Sequence, residues 1–468
     1  MLKISNHYVS KVAFSLLFVE ILILFGAFYA GSAIRFFGGD SSMLHRQLHQ
    51  FLLPACVFCG AIVFSMSALG MYQLNFSDGL RQPFFIKLVP AFAMGFGILT
   101  LVFYAVPDLY FGRGLLLMVF LIGAVGILGA RAVFFTSSEA RFLESRIIFL
   151  GSGALAKQCG DLALATAGYR KYAVAGYVPM AAEETQVAAS SLLAMAPGTS
   201  LVALAREHNV REIVVSVQNR RGGTFPIREL LECKMVGVKV TDAATFFERE
   251  TSQIRIESLQ PSWLVFGGGF DQSFARAFMK RTFDIIISAI ILVLALPVML
   301  VAAICIRLED GGGILYSQER VGKGGRTFHV LKFRSMGSDA EKGGKPEWAA
   351  KNDPRVTRVG NIIRKLRIDE LPQVFNVFKG EMSFVGPRPE RPYFVDQLIA
   401  DVPYYNVRHS IKPGITGWAQ VRYGYGASVE DAIQKLQYDL YYVKNNSLFL
   451  DLLVLIDTLK VVLFGSGR

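Results

Sequence analysis

The chain has 468 residues, 52% of them hydrophobic and 18% charged, against about 25% charged in an ordinary soluble domain. That length suits roughly three domains and excludes a single small module, while the composition excludes a disordered or collagen-like chain and argues against an ordinary cytosolic protein. Lys and Arg total 49 against 37 Asp and Glu, a net +12 that must sit near nucleic acid, anionic lipid or a phosphorylated substrate.

Four apolar stretches come first, at 12–34, 51–71, 84–106 and 115–135. Each is about 20 residues, enough to cross a ~30 Å hydrocarbon core as a helix. The first is too long for a signal peptide and lacks a small-residue cleavage site, so it reads as an anchor. Cys56 and Cys59 form a CxxC inside the second stretch and read as small core residues; the five cysteines indicate no disulfide framework. One set of loops carries Lys3, Lys11, Arg81, Lys87, Arg131, Arg141 and Arg146, the other only Arg35, Arg46 and Arg113, which puts the N-terminus and everything after Phe135 in the cytoplasm. Glu20, a carboxylate inside the first stretch with no evident partner, reads as a packing hydrogen bond or a functional group.

Residues 146–150 form a short apolar strand that leads into Gly151-Ser152-Gly153-Ala154-Leu155-Ala156, a G-x-G-x-x-A match followed by a helical segment. Strand-like runs at 172–178, 212–217 and 237–241 alternate with helical segments at 200–208 and 227–234. This predicts a Rossmann-like α/β domain over 145–250, after a four-span bundle over 1–140. The glycines would let a phosphate approach a helix N-terminus. No acidic residue ends the second strand, however, where Pro179 and Met180 follow Val178 and the acids Glu183 and Glu184 come only later. A structural or regulatory domain is therefore expected in preference to a nucleotide site. Residues 251–279, with Trp263 and a Gly267-Gly268-Gly269 hinge, read as an interfacial linker.

A fifth apolar stretch, 285–306, has Lys280 and Arg281 before it and Arg307 after it, so both flanks look cytoplasmic. Pro297 near its middle would kink a helix. A re-entrant helical hairpin satisfies both observations; a kinked fifth span is the alternative.

The region 318–420 is densest in charged and turn residues. It holds Lys332-Phe333-Arg334-Ser335-Met336, Asp353-Pro354-Arg355, Arg364, Lys365, Arg367-Ile368-Asp369-Glu370-Leu371-Pro372, Gly386-Pro387-Arg388-Pro389 and Lys412-Pro413-Gly414. Between 353 and 367 there are five basic residues and one acid, a phosphate-seeking surface beside a membrane. Pro372 places Asp369 and Glu370 at a helix N-terminus, where an ionised carboxylate among cations could attack phosphorus or ligate Mg²⁺; a plain helix cap is the bland reading of Asp369. Lys332 and Arg334 alternate along a strand and so share a face that suits one diphosphate. Arg388 is presented by two stiffening prolines. No nucleic-acid motif appears, so nucleic acid is not the expected partner. Residues 438–464 look amphipathic and either lie on the membrane face or pack as core.

Through Lys332 to Met336, Asp369-Glu370-Leu371-Pro372, Gly386 to Pro389 and residues 412–420, the stretch 280–468 resembles the bacterial sugar transferase family, the monotopic phosphoglycosyl transferases. The whole chain is similar to the long exopolysaccharide polyprenyl glycosylphosphotransferases, which include undecaprenyl-phosphate glucose phosphotransferases. The resemblance implies a catalytic unit over 280–468 that transfers a sugar 1-phosphate from a UDP-sugar to undecaprenyl phosphate and releases UMP. It implies Asp369 as the nucleophile forming an aspartyl phosphosugar, Glu370 assisting the second step, Mg²⁺ held in part by Asp369, and Lys332, Arg364 and Arg388 steadying the diphosphate. The expected setting is a bacterial inner membrane, with a multi-pass chain and the catalytic unit on the cytoplasmic face. Glucose is the first expected sugar, with galactose and N-acetylated sugars behind it, and a homodimer is left open. The smallest family members carry Ser-Pro at the helix break, where this chain has Leu296-Pro297. A non-catalytic membrane scaffold is the reading from another class, and its signature would be a lost carboxylate or a lost Arg388. A flippase reading of the bundle is disfavoured, because the four spans hold almost no polar residues.

Overall fold

The structure is a computed structural model that describes residues 2–4, 7–35, 51–72, 83–137, 144–165, 171–180, 184–193, 199–217, 225–256, 270, 273–337, 355–424, 426 and 428–464. Trp263, the Gly267–Gly269 hinge, Glu183, Asp353 and the loop cations Arg46, Arg81 and Arg141 lie outside them. The chain divides into two compact units, one of residues 1–2 and 9–250, the other of residues 3–8 and 251–468.

The first unit follows a short two-stranded sheet, β1 (Leu2–Ile4) and β2 (His7–Val9). Its helices are α1 (Lys11–Arg35), α2 (Leu52–Ala68), α3 (Pro83–Ala105) and α4 (Arg113–Ser137). They are apolar on every side, as helices facing both one another and lipid must be. Leu24, Phe28, Phe58, Ile62, Met66 and Leu99 are buried between them, while Phe18, Val89, Leu101, Leu117 and Val125 are exposed. Helices α1, α3 and α4 are long enough to cross a membrane; α2, at 17 residues, lies at the lower end of the spanning range.

Glu20 is not alone. Arg131, from within α4, grips both of its carboxylate oxygens with Nε and a terminal nitrogen, donates to the Met71 carbonyl at 3.2 Å, and lies 5.5 Å from the Tyr72 ring centre. Both ionic partners are buried. Counting Arg131 as a loop cation is thereby corrected: its charge is spent inside the bundle, which leaves six loop cations against three.

Next comes an α/β domain: β3 (Ser145–Leu150), α5 (Ala154–Leu164), β4 (Tyr172–Val178), α6 (Leu201–Glu207), β5 (Glu212–Val215), α7 (Ile227–Met235), β6 (Lys239–Asp242) and α8 (Ala243–Thr251). The strands run parallel in the order β4-β3-β5-β6, with an apolar layer on each face of the sheet. Gly151 takes a φ of +118°, open to glycine alone at low cost, and donates to the Val178 carbonyl. Ser152 is buried; its carbonyl accepts from the Gln186 N–H at 2.8 Å and its hydroxyl lies 3.2 Å from that of Thr185. The glycine-rich turn is thus covered by the domain's own residues. At the opposite, N-terminal ends of the strands, Glu212, Arg249, Glu250, Lys171, Tyr172 and Thr241 form a buried ionic network.

The second unit is built on α9 (Phe274–Asp310), a helix of 37 residues with Pro297 inside it. The structure gives one helix here, longer at both ends than the 285–306 stretch. Near its start, Arg281 donates to the Val377 and Phe378 carbonyls, and Asp284 accepts from Ser383 and the Phe384 N–H. Near its end, Glu309 accepts from the Arg358 and Val359 N–H groups, and Asp310 pairs with Arg334. Both ends are therefore fastened within one unit. Between them Val293, Leu294, Leu300, Val301 and Ile304 are exposed.

The remaining elements are the antiparallel pair β7 (Leu315–Val321) and β8 (Thr327–Phe333), α10 (Arg358–Lys365), a 3-10 turn (Ile368–Glu370), α11 (Gln373–Lys379), β9 (Ser383–Val385), α12 (Pro392–Asp401), a second 3-10 segment (Tyr405–Ser410), β10 (Gly414–Thr416), α13 (Trp418–Arg422), α14 (Val429–Asn445) and α15 (Leu448–Phe464). Helix α14 starts on a Ser428–Asp431 capping box and buries Leu436, Leu440, Tyr441 and Tyr442 against Trp418, Leu450 and Val454. Residues 439–445, together with Leu450, Asp451, Val454 and Asp457, are accordingly buried as core. His7 is buried in the same core, with its Nδ1 2.8 Å from the Tyr441 hydroxyl and its ring edge-on to Trp418. The first residues of the chain therefore complete this unit rather than the bundle.

Candidate active site

Helix α10 starts on the Thr357 hydroxyl, which accepts from the Gly360 N–H, and ends with the chain turning sharply at Arg367. Arg367 has a φ of +57°, a left-handed conformation that a non-glycine residue adopts at a cost of order 1–3 kcal/mol. The 3-10 turn that follows places Asp369 and Glu370 side by side, with Pro372 as the N-cap of α11. Strained backbone thus presents the paired carboxylates.

The two carboxylates have opposite surroundings. Glu370 accepts from Arg388 at 2.7 Å, has the Lys332 ammonium at 3.5 Å, and has Arg367 at 3.9 Å. Burial alone would raise its pKa, but Arg388 and Lys332 outweigh it and hold the carboxyl well below the usual range. Asp369 has no such partner: its Oδ1 is buried and accepts no hydrogen bond among the described residues. Burial, and then the neighbouring Glu370 charge, push its carboxyl above the usual value. Lys332, Arg388 and Arg367 pull the Asp369 pKa down as well, but burial and the Glu370 charge outweigh them there.

Lys332 is placed by β8, whose edge is fixed by buried Asn376 of α11: its Oδ1 accepts from the Leu331 N–H, and its Nδ2 donates to the His329 carbonyl and to Glu381. Burial lowers the Lys332 pKa, with Glu370 opposing. Arg334 follows the end of β8 and pairs with Asp310 at the end of α9, so it does not join Lys332 at the carboxylates. Arg364 stands in the last turn of α10 and makes no ion pair among the described residues. Arg388 arrives on the Gly386–Pro389 segment, which packs so closely on β10 that a Cβ on Gly414 would lie 2.1 Å from the Gly386 nitrogen. Pro297 lies on α9, away in sequence from the residues that touch the pair.

Sequence reading passed over three groups. Arg320 donates to the Pro389 carbonyl, and the buried pair Arg408–Asp439, at 2.8 Å, stands behind Arg388. Arg320 stands at the start of the charge-dense 318–420 region, which could have flagged it. Asp439 sits on an amphipathic helix, where it reads as surface charge, and nothing local marks Arg408.

Among the described residues no cluster of three or more His, Cys, Asp or Glu could hold a metal by itself. The unpartnered Asp369 Oδ1 nevertheless fits Mg²⁺, a hard cation commonly held by one or two carboxylates plus substrate phosphates.

A sequence model of the family described as bacterial sugar transferase matches residues 275–465. The chain is 45% identical over 240 residues to a UDP-N-acetylgalactosamine-undecaprenyl-phosphate N-acetylgalactosaminephosphotransferase of Aeromonas hydrophila, covering 51% of this chain and 56% of that protein. It is 41% identical over 193 residues to an undecaprenyl-phosphate glucose phosphotransferase of Komagataeibacter xylinus, covering 40% and 36% respectively. It is also 54% identical over 130 residues to a protein of Bacillus subtilis (strain 168) named a putative undecaprenyl-phosphate N-acetylgalactosaminyl 1-phosphate transferase, covering 28% of this chain and 72% of the relative. The chain thus spans little more than half, or less, of the length of the first two. With Asp369, Glu370, Lys332 and Arg388 drawn together inside the matched segment, the chain belongs to the bacterial sugar transferase family.

Proposed function

We propose that the protein transfers a sugar 1-phosphate from a UDP-sugar to undecaprenyl phosphate, with Asp369 as the nucleophile. The observation that carries the reading is the division of labour between adjacent carboxylates. Glu370 is locked by Arg388 and Lys332, while Asp369 keeps a buried oxygen that has no hydrogen-bond partner among the described residues and can bond to phosphorus. In the first step an Asp369 oxygen attacks the sugar-linked phosphorus and the bond to the bridging oxygen breaks, so that UMP leaves with the electron pair. In the second, an oxygen of the lipid phosphate attacks the same phosphorus and the acyl phosphate bond breaks, which restores the Asp369 carboxylate. A phosphate monoester has a second pKa near 6, so the lipid nucleophile needs little help from a base at neutral pH. Glu370, held so far below the usual range, accepts protons poorly; its part is to fix Arg388 and Lys332 where phosphate charge develops. Mg²⁺, held through Asp369, would supply further neutralisation of the diphosphate. Covalent catalysis suits a soluble donor and a membrane-bound acceptor, which need not occupy the site together.

The attachment of both ends of α9 within one unit supports a re-entrant dip into the membrane, since a crossing helix would leave its ends on opposite faces. The loop charges favour a bacterial inner membrane with this unit on the cytoplasmic face. For the donor, glucose has a competitor: the relatives at 45% and 54% identity carry N-acetylgalactosamine in their names, which favours a UDP-N-acetylhexosamine as the second reading. The test is UMP release by purified protein in lipid with Mg²⁺, using UDP-glucose, UDP-galactose and UDP-N-acetylgalactosamine with and without undecaprenyl phosphate. Lipid-dependent UMP from one donor, abolished in Asp369→Asn, is the expected result. Folded protein that yields no UMP from any donor would favour the scaffold reading instead.

A further inference from the structure

The segment that presents Arg388 is held in an unusual way. Four consecutive carbonyls are each capped from a different place: Pro387 by the Gly414 N–H at 2.9 Å, Arg388 by the Arg408 guanidinium at 2.8 Å, Pro389 by the Arg320 guanidinium at 3.1 Å, and Glu390 by the Val321 N–H at 2.9 Å. Two prolines remove N–H donors from this stretch, so it cannot stabilise itself as a strand or helix, and its position depends on those caps. The Arg408 cap is the most deeply set. Its side chain is buried; the nitrogen that reaches the Arg388 carbonyl also meets Asp439 of α14 at 2.8 Å, and another donates to the Tyr405 hydroxyl at 2.5 Å. A buried ion pair is weak evidence for stability, because desolvation offsets much of the attraction. Here the pair ends on the main chain of the residue whose side chain clamps Glu370.

We propose that Arg408 and Asp439 form a strut that positions Arg388, and that Arg408 is a positioning residue for the sugar-phosphate transfer without touching the reacting groups. The proposal rests on the transferase reading for its kinetic consequence, but not for its geometric one. Lysine at 408 keeps the charge opposite Asp439 and loses the planar fork that serves Asp439, the Arg388 carbonyl and Tyr405 together. The Pro387–Pro389 segment then shifts and Arg388 loosens from Glu370.

Two readouts test this on the full chain in lipid. The first is a double-mutant cycle on UMP release with Arg408→Lys, Arg388→Ala and the pair. Misplacing a phosphate-facing group by about 1 Å can cost up to ~100-fold, so Arg408→Lys should lower kcat/KM by roughly 10- to 100-fold. If Arg408 acts through Arg388, the same change made on Arg388→Ala should cost less than about threefold; two independent losses would instead multiply and overturn the proposal. The second readout needs no activity: the rate at which phenylglyoxal modifies Arg388, followed by peptide mass spectrometry. Arg408→Lys and the milder Asp439→Asn should each expose Arg388 to faster labelling while thermal unfolding stays cooperative. Unchanged labelling in both variants would sink the strut whatever the enzyme assay shows. An inactive wild type with accelerated labelling would leave the strut standing and remove the transferase reading.

Discussion

Asp369 and Glu370 show how little sequence adjacency says about chemical state. Covalently they are neighbours; electrostatically, Arg388 and Lys332 prevail at Glu370, while burial and the Glu370 charge prevail at Asp369. Asp369→Asn should abolish transfer and, by removing a disfavoured charge, stabilise the protein by ~1 kcal/mol, an exchange of stability for activity seen at many active sites. Thermal unfolding beside the UMP assay checks both halves, and a destabilised Asn variant would contradict the electrostatic account. The pH dependence follows from the same shifts. Asp369 must be ionised to attack and its pKa is raised, while Lys332 must stay charged and its pKa is lowered. The rate profile should therefore be a bell, with an acid limb above the ordinary carboxylate value of about 4 and an alkaline limb below the ordinary lysine value of about 10.4. For stability the two carboxylates pull in opposite directions. The raised Asp369 weakens the fold as pH climbs from about 4 through its folded pKa; the lowered Glu370 strengthens it above about 4 and loses that contribution as pH falls through its own.

Among the elements, the helices and parallel strands were legible because their patterns are long and local. Runs of about 20 apolar residues named α1, α3 and α4, and the strand at 172–178 was read to the residue. What escaped was pairing across the chain. Glu20 and Arg131 are 111 residues apart, and Arg131 looked like a loop cation because it stands near the end of its helix. Arg334 alternates with Lys332 in sequence, yet β8 ends at Phe333 and the next residue turns to Asp310. The pair in the bundle makes a sharp prediction. Glu20→Gln leaves a buried guanidinium without its counter-charge and should destabilise the bundle by about 3–5 kcal/mol, whereas Glu20→Gln with Arg131→Met should recover most of the loss. Unfolding of the wild type and both variants in detergent measures it, and a double variant no better than the single one would mean that the pair is not the origin of the effect.

For the whole molecule, the chain's first residues belong to the unit that carries the candidate site. Nothing in residues 3–8 announces this, since a single buried histidine has no periodicity to read. His7 is pushed down to about 4 by burial and by the nearby Arg422 charge. An unfolded histidine takes up its proton near 6.5, so the fold should lose stability as pH falls from about 6.5 towards 4. His7→Phe should flatten part of that acid dependence in thermal midpoints measured across the same range; an unchanged slope would mean that His7 titrates normally. His409, lowered to about 4 by burial and Arg408, should supply a further part. The central claim is that Asp369 itself becomes bonded to the sugar phosphate, and it is tested most directly by mass spectrometry of the protein incubated with its UDP-sugar in the absence of lipid acceptor. The account predicts a mass gain of one sugar phosphate on the peptide that contains Asp369, discharged when undecaprenyl phosphate is added. UMP release without any such adduct, or an adduct on another residue, would contradict it.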